Sequence, residues 1–188
     1  ESLKLYETLS QELDFNLMVS QRGVINLAHN LHDMRELTRR IAAINLNGID
    51  SEILTPAEIK AMVPILNISP EARYPVLGAS LQRRGGTARH DAVAWGLARA
   101  ADARGIDIIQ NCEVTGILRN GGKVTGVETT LGVLKAPKVG VVVAGHAGVL
   151  AAMAGLRLPI ESHPLQALVS EPLKPVIDTV VMSATVHV

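Results

Sequence analysis

Gln82-Arg83-Arg84-Gly85-Gly86-Thr87-Ala88-Arg89-His90-Asp91-Ala92-Val93-Ala94-Trp95-Gly96 is the stretch on which the reading of this chain turns. The glycine pair makes a turn. From Asp91 to Arg104, Ala92, Val93, Leu97, Ala100 and Ala101 then form one apolar stripe at helical spacing, and Gly105 supplies a stop. Ile106-Asp107-Ile108-Ile109 begins a strand after it, which together makes half of an α/β crossover. Unpaired backbone N–H groups and the positive end of the helix dipole favour an anion such as a phosphate at this helix start. The guanidinium forks of Arg83, Arg84 and Arg89 strengthen that preference. For His90 the dipole penalises a cationic ring, which leaves a ring nitrogen nucleophilic. Asp91 is favoured in the first turn and is positioned to orient the ring. The same residues also read as a solvated arginine turn beside a partly buried histidine, and both readings stand at this point.

Before this stretch, Leu3, Tyr6, Leu9 and Leu13 recur at helical spacing through Ser2 to Leu13. Two strands are expected at Asn16 to Ser20 and Val24 to Ala28, joined by Gln21-Arg22-Gly23. Leu31 to Asn47 returns to helical spacing through Met34, Leu37, Ile41 and Ile44, with Gly48 as its terminator. Thr55-Pro56-Ala57-Glu58 carries a capping threonine, a proline at the first helical position and a glutamate three residues after the cap, and Pro64 ends that helix. Tyr74 to Gln82 is a strand that delivers the chain to the glycine turn.

After it, Cys112 to Leu118 and Lys123 to Thr129 are β-rich around Asn120-Gly121-Gly122, and Leu131 to Ala136 forms a further short strand. The valine run Lys138 to Ala144 reads as a strand buried on both faces, ending in Gly145 before the helical stretch Ala147 to Ala154. Small residues at that carboxyl edge are where open α/β sheets bind ligands. A tight turn with no ligand fits the same residues. Leu165 to Ser170 and Thr179 to Val188 are expected as strands between prolines. This alternation is a mixed α/β (α+β) pattern, in which one chain visits layers of different type in turn.

Composition narrows the class. Eighteen basic residues balance eighteen acidic ones and aromatics make up 2% of the chain, which excludes the basic, stacking surface of a nucleic-acid binder. One cysteine, Cys112, permits neither an internal disulfide nor a cysteine zinc cluster and suits a reducing compartment, with the cytoplasm expected. His29, His32, His146 and His163 show no ligand spacing, so no metal is expected. Val139 to Leu158 reads as strand then helix, and no membrane association is expected. The chain begins at Glu1 inside a helical pattern and stops at Val188 in a strand-like one, so it is expected to be an internal piece of a longer protein.

A resemblance now adds to this. Gly85-Gly86, the helix ending Ala101-Asp102-Ala103-Arg104-Gly105, Glu113-Val114-Thr115-Gly116-Ile117, Gly122-Lys123-Val124-Thr125-Gly126-Val127-Glu128-Thr129 and Val141-Val142-Val143-Ala144-Gly145 follow one another in an order that resembles the FAD-dependent amine oxidoreductases of the D-amino-acid oxidase type. Ser20-Gln21-Arg22-Gly23-Val24, Leu54-Thr55-Pro56 and the stretch Gln82 to Gly96 are more specifically similar to the beta subunits of heterotetrameric sarcosine oxidases. The likeness covers essentially the whole chain.

The resemblance implies part of an FAD-binding, Rossmann-like domain interleaved with a β-sheet substrate domain. Residues 1–15 and 82–162 fall to the former, 16–81 and 163–188 to the latter. It implies a noncovalent FAD and an FMN attached covalently through His90, with Arg89 at a basic position of the FMN site. Val114 matches the strand residue that meets the FAD adenine, Ala144 and Gly145 the segment close to FAD, and His187 a strand brought toward the flavins. The implied reaction converts sarcosine to glycine and a one-carbon unit, formaldehyde or methylene-tetrahydrofolate, with hydrogen peroxide, in company with the other subunits of a heterotetramer. No Gly-x-Gly-x-x-Gly follows a strand in this chain, so these 188 residues alone are not expected to hold FAD tightly or turn over. A dehydrogenase of another secondary amine or amino acid, and an interaction subunit that keeps the fold without cofactor, are the alternatives.

Overall fold

Helix and strand alternate along the chain as its apolar spacing does: α1 (Ser2–Glu12), β1 (Val24–Ala28), α2 (Leu31–Leu46), β2 (Glu52–Leu54), α3 (Pro56–Met62), β3 (Gly78–Gln82), α4 (His90–Asp102), β4 (Val114–Asn120), β5 (Lys123–Thr129), β6 (Gly132–Lys135), α5 (Ala147–Met153) and β7 (Val180–Ser183). This is a computed structural model, and it describes residues 2–183. The fold is a mixed α/β one. By contacts it divides into two compact units, Glu1–Ile106 with Glu171–Val188, and Asp107–Ser170.

In the first unit β1 runs antiparallel to β3 and parallel to β7, and β2 is antiparallel to β3, giving the order β2-β3-β1-β7. Cross-strand partners point to the same face, so the register Ile25 to Leu81 and Leu27 to Ala79 stacks four apolar side chains on one side. Those four bury with Leu54, Ile59, Val63 and Val76 to make the core. Helix α3 reaches that core because its start is fixed locally. Thr55 Oγ1 accepts from Glu58 N at 3.4 Å, Glu58 Oε2 accepts from Thr55 N at 2.7 Å, and Pro56 takes the first helical position. Asn30 caps α2 in the same manner by accepting from Asp33 N at 2.9 Å.

The second unit is built on the antiparallel meander β4-β5-β6. Gly121 and Gly122 both adopt positive φ in its first hairpin, as the turn chemistry requires. Gly126 is obligatory for a different reason: a Cβ there would collide with the Leu134 carbonyl and lie 3.0 Å from Lys135 Cα. Arg119 Nη1 donates to Ala154 O at 2.6 Å, which ties β4 to the carboxyl end of α5.

Several expected elements differ. Asn16 to Ser20 is not a strand. Met18 takes a left-handed backbone, φ 53°, with its N–H turned onto Asn16 Oδ1 at 2.9 Å, and this local side-chain bond breaks the extended run. β3 begins at Gly78 rather than Tyr74. Ile106 to Ile109, the valine run and Leu165 to Ser170 form no strands. A strand needs a ladder partner for its N–H and C=O groups, and neither sheet among the described residues takes in these segments; Val142 is 94% exposed. The valine pattern recorded a preference for burial that these residues alone do not supply. The segment Thr179 to Val188 contains β7 at Val180–Ser183, and residues 184–188 lie outside the described residues. α5 is seven residues long, and among the described residues no helix is long and apolar enough to cross a membrane.

Candidate functional site

The strap that carries the chain from β3 to His90 lies antiparallel beside residues 17–23. Gly23 N donates to Gly85 O at 2.9 Å, Ser20 and Thr87 exchange N–H···O bonds at 2.8 and 2.9 Å, and Arg89 N reaches Leu17 O at 3.4 Å. Glycine is what allows this approach. A Cβ on Gly86 would overlap the Ser20 carbonyl oxygen and lie 2.8 Å from Gln21 Cα, and one on Gly85 would lie 2.7 Å from Val24 Cγ2. Below the strap, α4 is seated by a third glycine: Gly96 is buried, with space for a Cβ closed by Leu17 Cδ2 at 2.7 Å and Phe15 Cδ1 at 3.1 Å. The inward face of α4 therefore runs through Ala92, Val93, Gly96 and Ala100, while Leu97, expected in the apolar stripe, is exposed.

His90 opens α4, as the sequence suggested, and it is exposed. Arg89 is the N-cap residue and makes no side-chain capping bond, but the Ala92 N–H in the first turn is taken by Asp91 Oδ1 at 2.8 Å. The arginines are engaged differently from the expectation of a shared anion cradle, because each has a carboxylate. Arg83 binds Glu52 through Nε at 2.5 Å and Nη2 at 2.9 Å. Arg84 Nη2 binds both oxygens of Glu7 at 2.6 and 2.7 Å, and Arg89 Nε binds Asp91 at 3.0 and 3.2 Å. Carboxylates from β2 and α1 fold onto the turn and engage Nε and Nη2 of Arg83 and Arg84. Asp91 likewise turns to Arg89 and to Ala92 N, at 2.8 Å, and not to the imidazole.

These pairings lower the carboxyl pKa values. Glu7 is held below its ordinary 4.5 chiefly by the Arg84 hydrogen bond and next by Gln21. Glu52 is lowered by Arg83. Asp91 lies below its ordinary 3.8 mainly because it accepts from Ala92 N, with Arg89 adding to it.

The remaining singled-out residues lie apart from this strap along the chain. Val114 is the first residue of β4 and half-buried. Ala144 and Gly145 form a single 3₁₀ turn ahead of α5. Ala144 has φ 45°, an uncommon backbone for a residue with a side chain, and a Cβ on Gly145 would make an ordinary contact with Ser162 Oγ at 3.9 Å. Arg89 and His90 belong to the first compact unit, and Val114, Ala144 and Gly145 to the second. His187 lies outside the described residues. Sequence reasoning missed Glu7, Gln21 and Glu52, since nothing local marks a surface carboxylate or amide as the partner of an arginine far along the chain. It also missed His29, whose ring nitrogens meet Pro75 O at 3.1 Å and Ser183 Oγ at 2.7 Å.

The strap offers an exposed imidazole and, beside it, a helix start and a guanidinium that Asp91 already engages, a donor set that suits an anionic group only where that group displaces Asp91. The turn at Ala144 and Gly145 is exposed, and packing does not require glycine at position 145.

Comparison with known proteins identifies the family. Residues 1–187 match the FAD dependent oxidoreductase family. The chain is 58% identical to sarcosine oxidase subunit beta of an Arthrobacter species over 188 residues, all of this chain and 46% of that protein. It is 56% identical to the Rhodobacter capsulatus protein of the same name over 97% of this chain and 44% of the other. The chain thus spans about half the length of the curated relatives it matches. Among solved structures, L-proline dehydrogenase from P. horikoshii superposes with a TM-score of 0.83 at 27% identity, over 98% of this chain and 48% of that one.

Proposed function

Because the chain belongs to the FAD dependent oxidoreductase family, we propose that it is a segment of the beta subunit of a sarcosine-oxidising flavoenzyme. The observation that carries this reading is the 58% identity to sarcosine oxidase subunit beta, which extends over every residue of the chain. The parent enzyme converts sarcosine to glycine and a one-carbon unit, formaldehyde or methylene-tetrahydrofolate, with formation of hydrogen peroxide. It works in the cytoplasm with the other subunits of a heterotetramer. A noncovalent FAD and an FMN held on His90 supply the redox chemistry, and the protein supplies orientation and electrostatics.

The residues singled out above have parts in that reading. Attachment needs an imidazole nitrogen with its lone pair available, and His90 is exposed at the first position of α4. Arg89 and the first turn of α4, which engage Asp91 in this structure, bind and orient negative charge beside it when Asp91 is displaced. Val114, Ala144 and Gly145 lie along the noncovalent FAD, where small residues let it reach the backbone. In this reading residues 1–15 and 82–162 belong to the FAD-binding domain, and 16–81 and 163–188 to the substrate domain.

The test uses the full-length subunit produced with its companions. Acid precipitation should leave yellow flavin with the protein pellet, and peptide mass spectrometry should find an FMN adduct on the peptide containing His90. Complete release of flavin to the supernatant would overturn the histidyl assignment and favour the second reading, a dehydrogenase of another secondary amine. That alternative is supported by the likeness to L-proline dehydrogenase, whose name denotes a cyclic secondary amine as substrate. Amine-dependent bleaching of the visible flavin absorbance by sarcosine or by proline then identifies the substrate.

A further inference from the structure

We infer that the space between α2 and the sheet is a binding site for a small organic monocarboxylate, an inference that goes beyond the flavin chemistry proposed above and does not depend on it. A cavity of about 280 Å³ lies there, lined by Asn26 of β1, Ser80 of β3, Ser51 just ahead of β2, and Arg40, Ile41 and Ile44 of α2. Asn26 and Ser80 are partners in the β1–β3 ladder, so both side chains stand on one face of the sheet. The volume is close to the lower end, about 300 Å³, of the range for small-molecule pockets.

Three observations point to a ligand. Ser51 has its main chain held on both sides by Asn45, whose Oδ1 accepts from Ser51 N at 2.9 Å and whose Nδ2 donates to Ser51 O at 3.1 Å, yet its buried Oγ has no hydrogen-bond partner among the described residues. A buried hydroxyl is costly to leave unpaired. Ser80 is 8% exposed and its hydroxyl makes no hydrogen bond among the described residues, whereas the comparably buried Thr179 donates to Gly23 O at 2.9 Å. Arg40 has no carboxylate partner among the described residues: its neighbour Arg39 takes Glu36, and Arg83, Arg84 and Arg89 each have a partner of their own. No acidic residue lines the cavity. One uncompensated guanidinium fork, with an amide and two hydroxyls, matches a single carboxylate. Ile41 and Ile44 supply an apolar wall for a short carbon chain. With one cation the site is poorly matched to a doubly charged phosphate, and without an acidic residue it offers no ion-pair partner to the ammonium of an amino acid.

The experiment measures binding of labelled propionate by equilibrium dialysis to the full-length subunit with its companions, in wild type, Arg40→Gln, Ser80→Ala and Ser51→Ala, with acetate, glycine and inorganic phosphate as competitors. Wild type is expected to bind propionate saturably. Arg40→Gln should weaken that binding by about 10-fold or more, through loss of a charge-assisted contact. Ser80→Ala, which removes one oxygen, should weaken it by about 3-fold. Ser51→Ala should weaken binding as well, and in the absence of propionate should leave the thermal midpoint unchanged or raised, because it deletes an unpaired hydroxyl. Acetate should compete, and glycine and phosphate should not compete at equal concentration. Absence of saturable binding overturns the site, as does propionate affinity in Arg40→Gln equal to that of wild type, which would place the bound propionate elsewhere. Displacement by phosphate or glycine at lower concentration than by acetate overturns the ligand class. None of these results bears on flavin attachment, so the proposed function stands or falls separately.

Discussion

Ser20 and Thr87 face each other as an antiparallel bridge, each donating its N–H to the other's carbonyl, at 2.8 and 2.9 Å. The pair joins two segments distant in sequence, and Gly86, beside Thr87, has no room for a side chain against them. Through this bridge the turn after β3 is delivered to α4 with His90 at its head.

Gly86→Ala should destabilise the full-length protein by about 3 kcal/mol or more, since the new Cβ meets backbone atoms of Ser20 and Gln21 that cannot rotate away. Denaturant unfolding measures it. A change below about 1 kcal/mol would mean that the strap and residues 17–23 are not in this close contact.

His90→Ala should abolish acid-stable flavin and alter unfolding free energy by no more than about 0.5 kcal/mol, because the residue is exposed and buries little surface. Acid precipitation and denaturant unfolding of the same sample check the two halves of the statement.

At the start of α3, Thr55→Ala and Glu58→Ala should each cost about 1 kcal/mol. Their combination should cost less than the sum, because the two side chains satisfy one reciprocal pair of N–H groups. Additive losses in a double-mutant cycle would contradict the capping geometry.

Acid should weaken the first unit in a defined window. Glu7, Glu52, Glu58 and Asp91 all have folded-state pKa values below their ordinary 4.5 or 3.8. A carboxyl lowered in this way stabilises the fold above its unfolded value and loses that contribution as pH falls through the folded one. Stability should therefore be level from these groups above about pH 5 and decline progressively below about pH 4. The decline should be shallow, and raised salt should flatten the part due to the arginine pairs, since the partners are at the surface. Thermal midpoints across pH 3–7 at two ionic strengths would measure this; a midpoint that rises on acidification contradicts the sign.

Much of the fold was open to inspection in the residues. The capping box of α3, the stop of α2 near Gly48, the Asn120-Gly121-Gly122 hairpin and the helix after the glycine pair are set within a few neighbours, and the structure has each of them. The valine run failed for the opposite reason. Its β character depends on strands beside it, and none pairs with it among the described residues. Asn16 to Ser20 failed because one side-chain bond, Met18 N to Asn16 Oδ1, outweighs a weak extended preference.

For the candidate site, local chemistry was sufficient to place His90 at the start of a helix, because turn and capping effects act within one turn. It was not sufficient to tell where three arginines would point. Arg83 meets Glu52, and Arg84 meets Glu7, only after β2 and α1 have been brought to the turn by the sheet and its core. Periodicity, caps and turn residues thus determined which segments are helix or hairpin, through interactions that span a few residues. Tertiary structure alone decided the charge partners, the glycine contacts at Gly86 and Gly96 and the register of the strap, because those energies exist only between groups that chain folding makes adjacent.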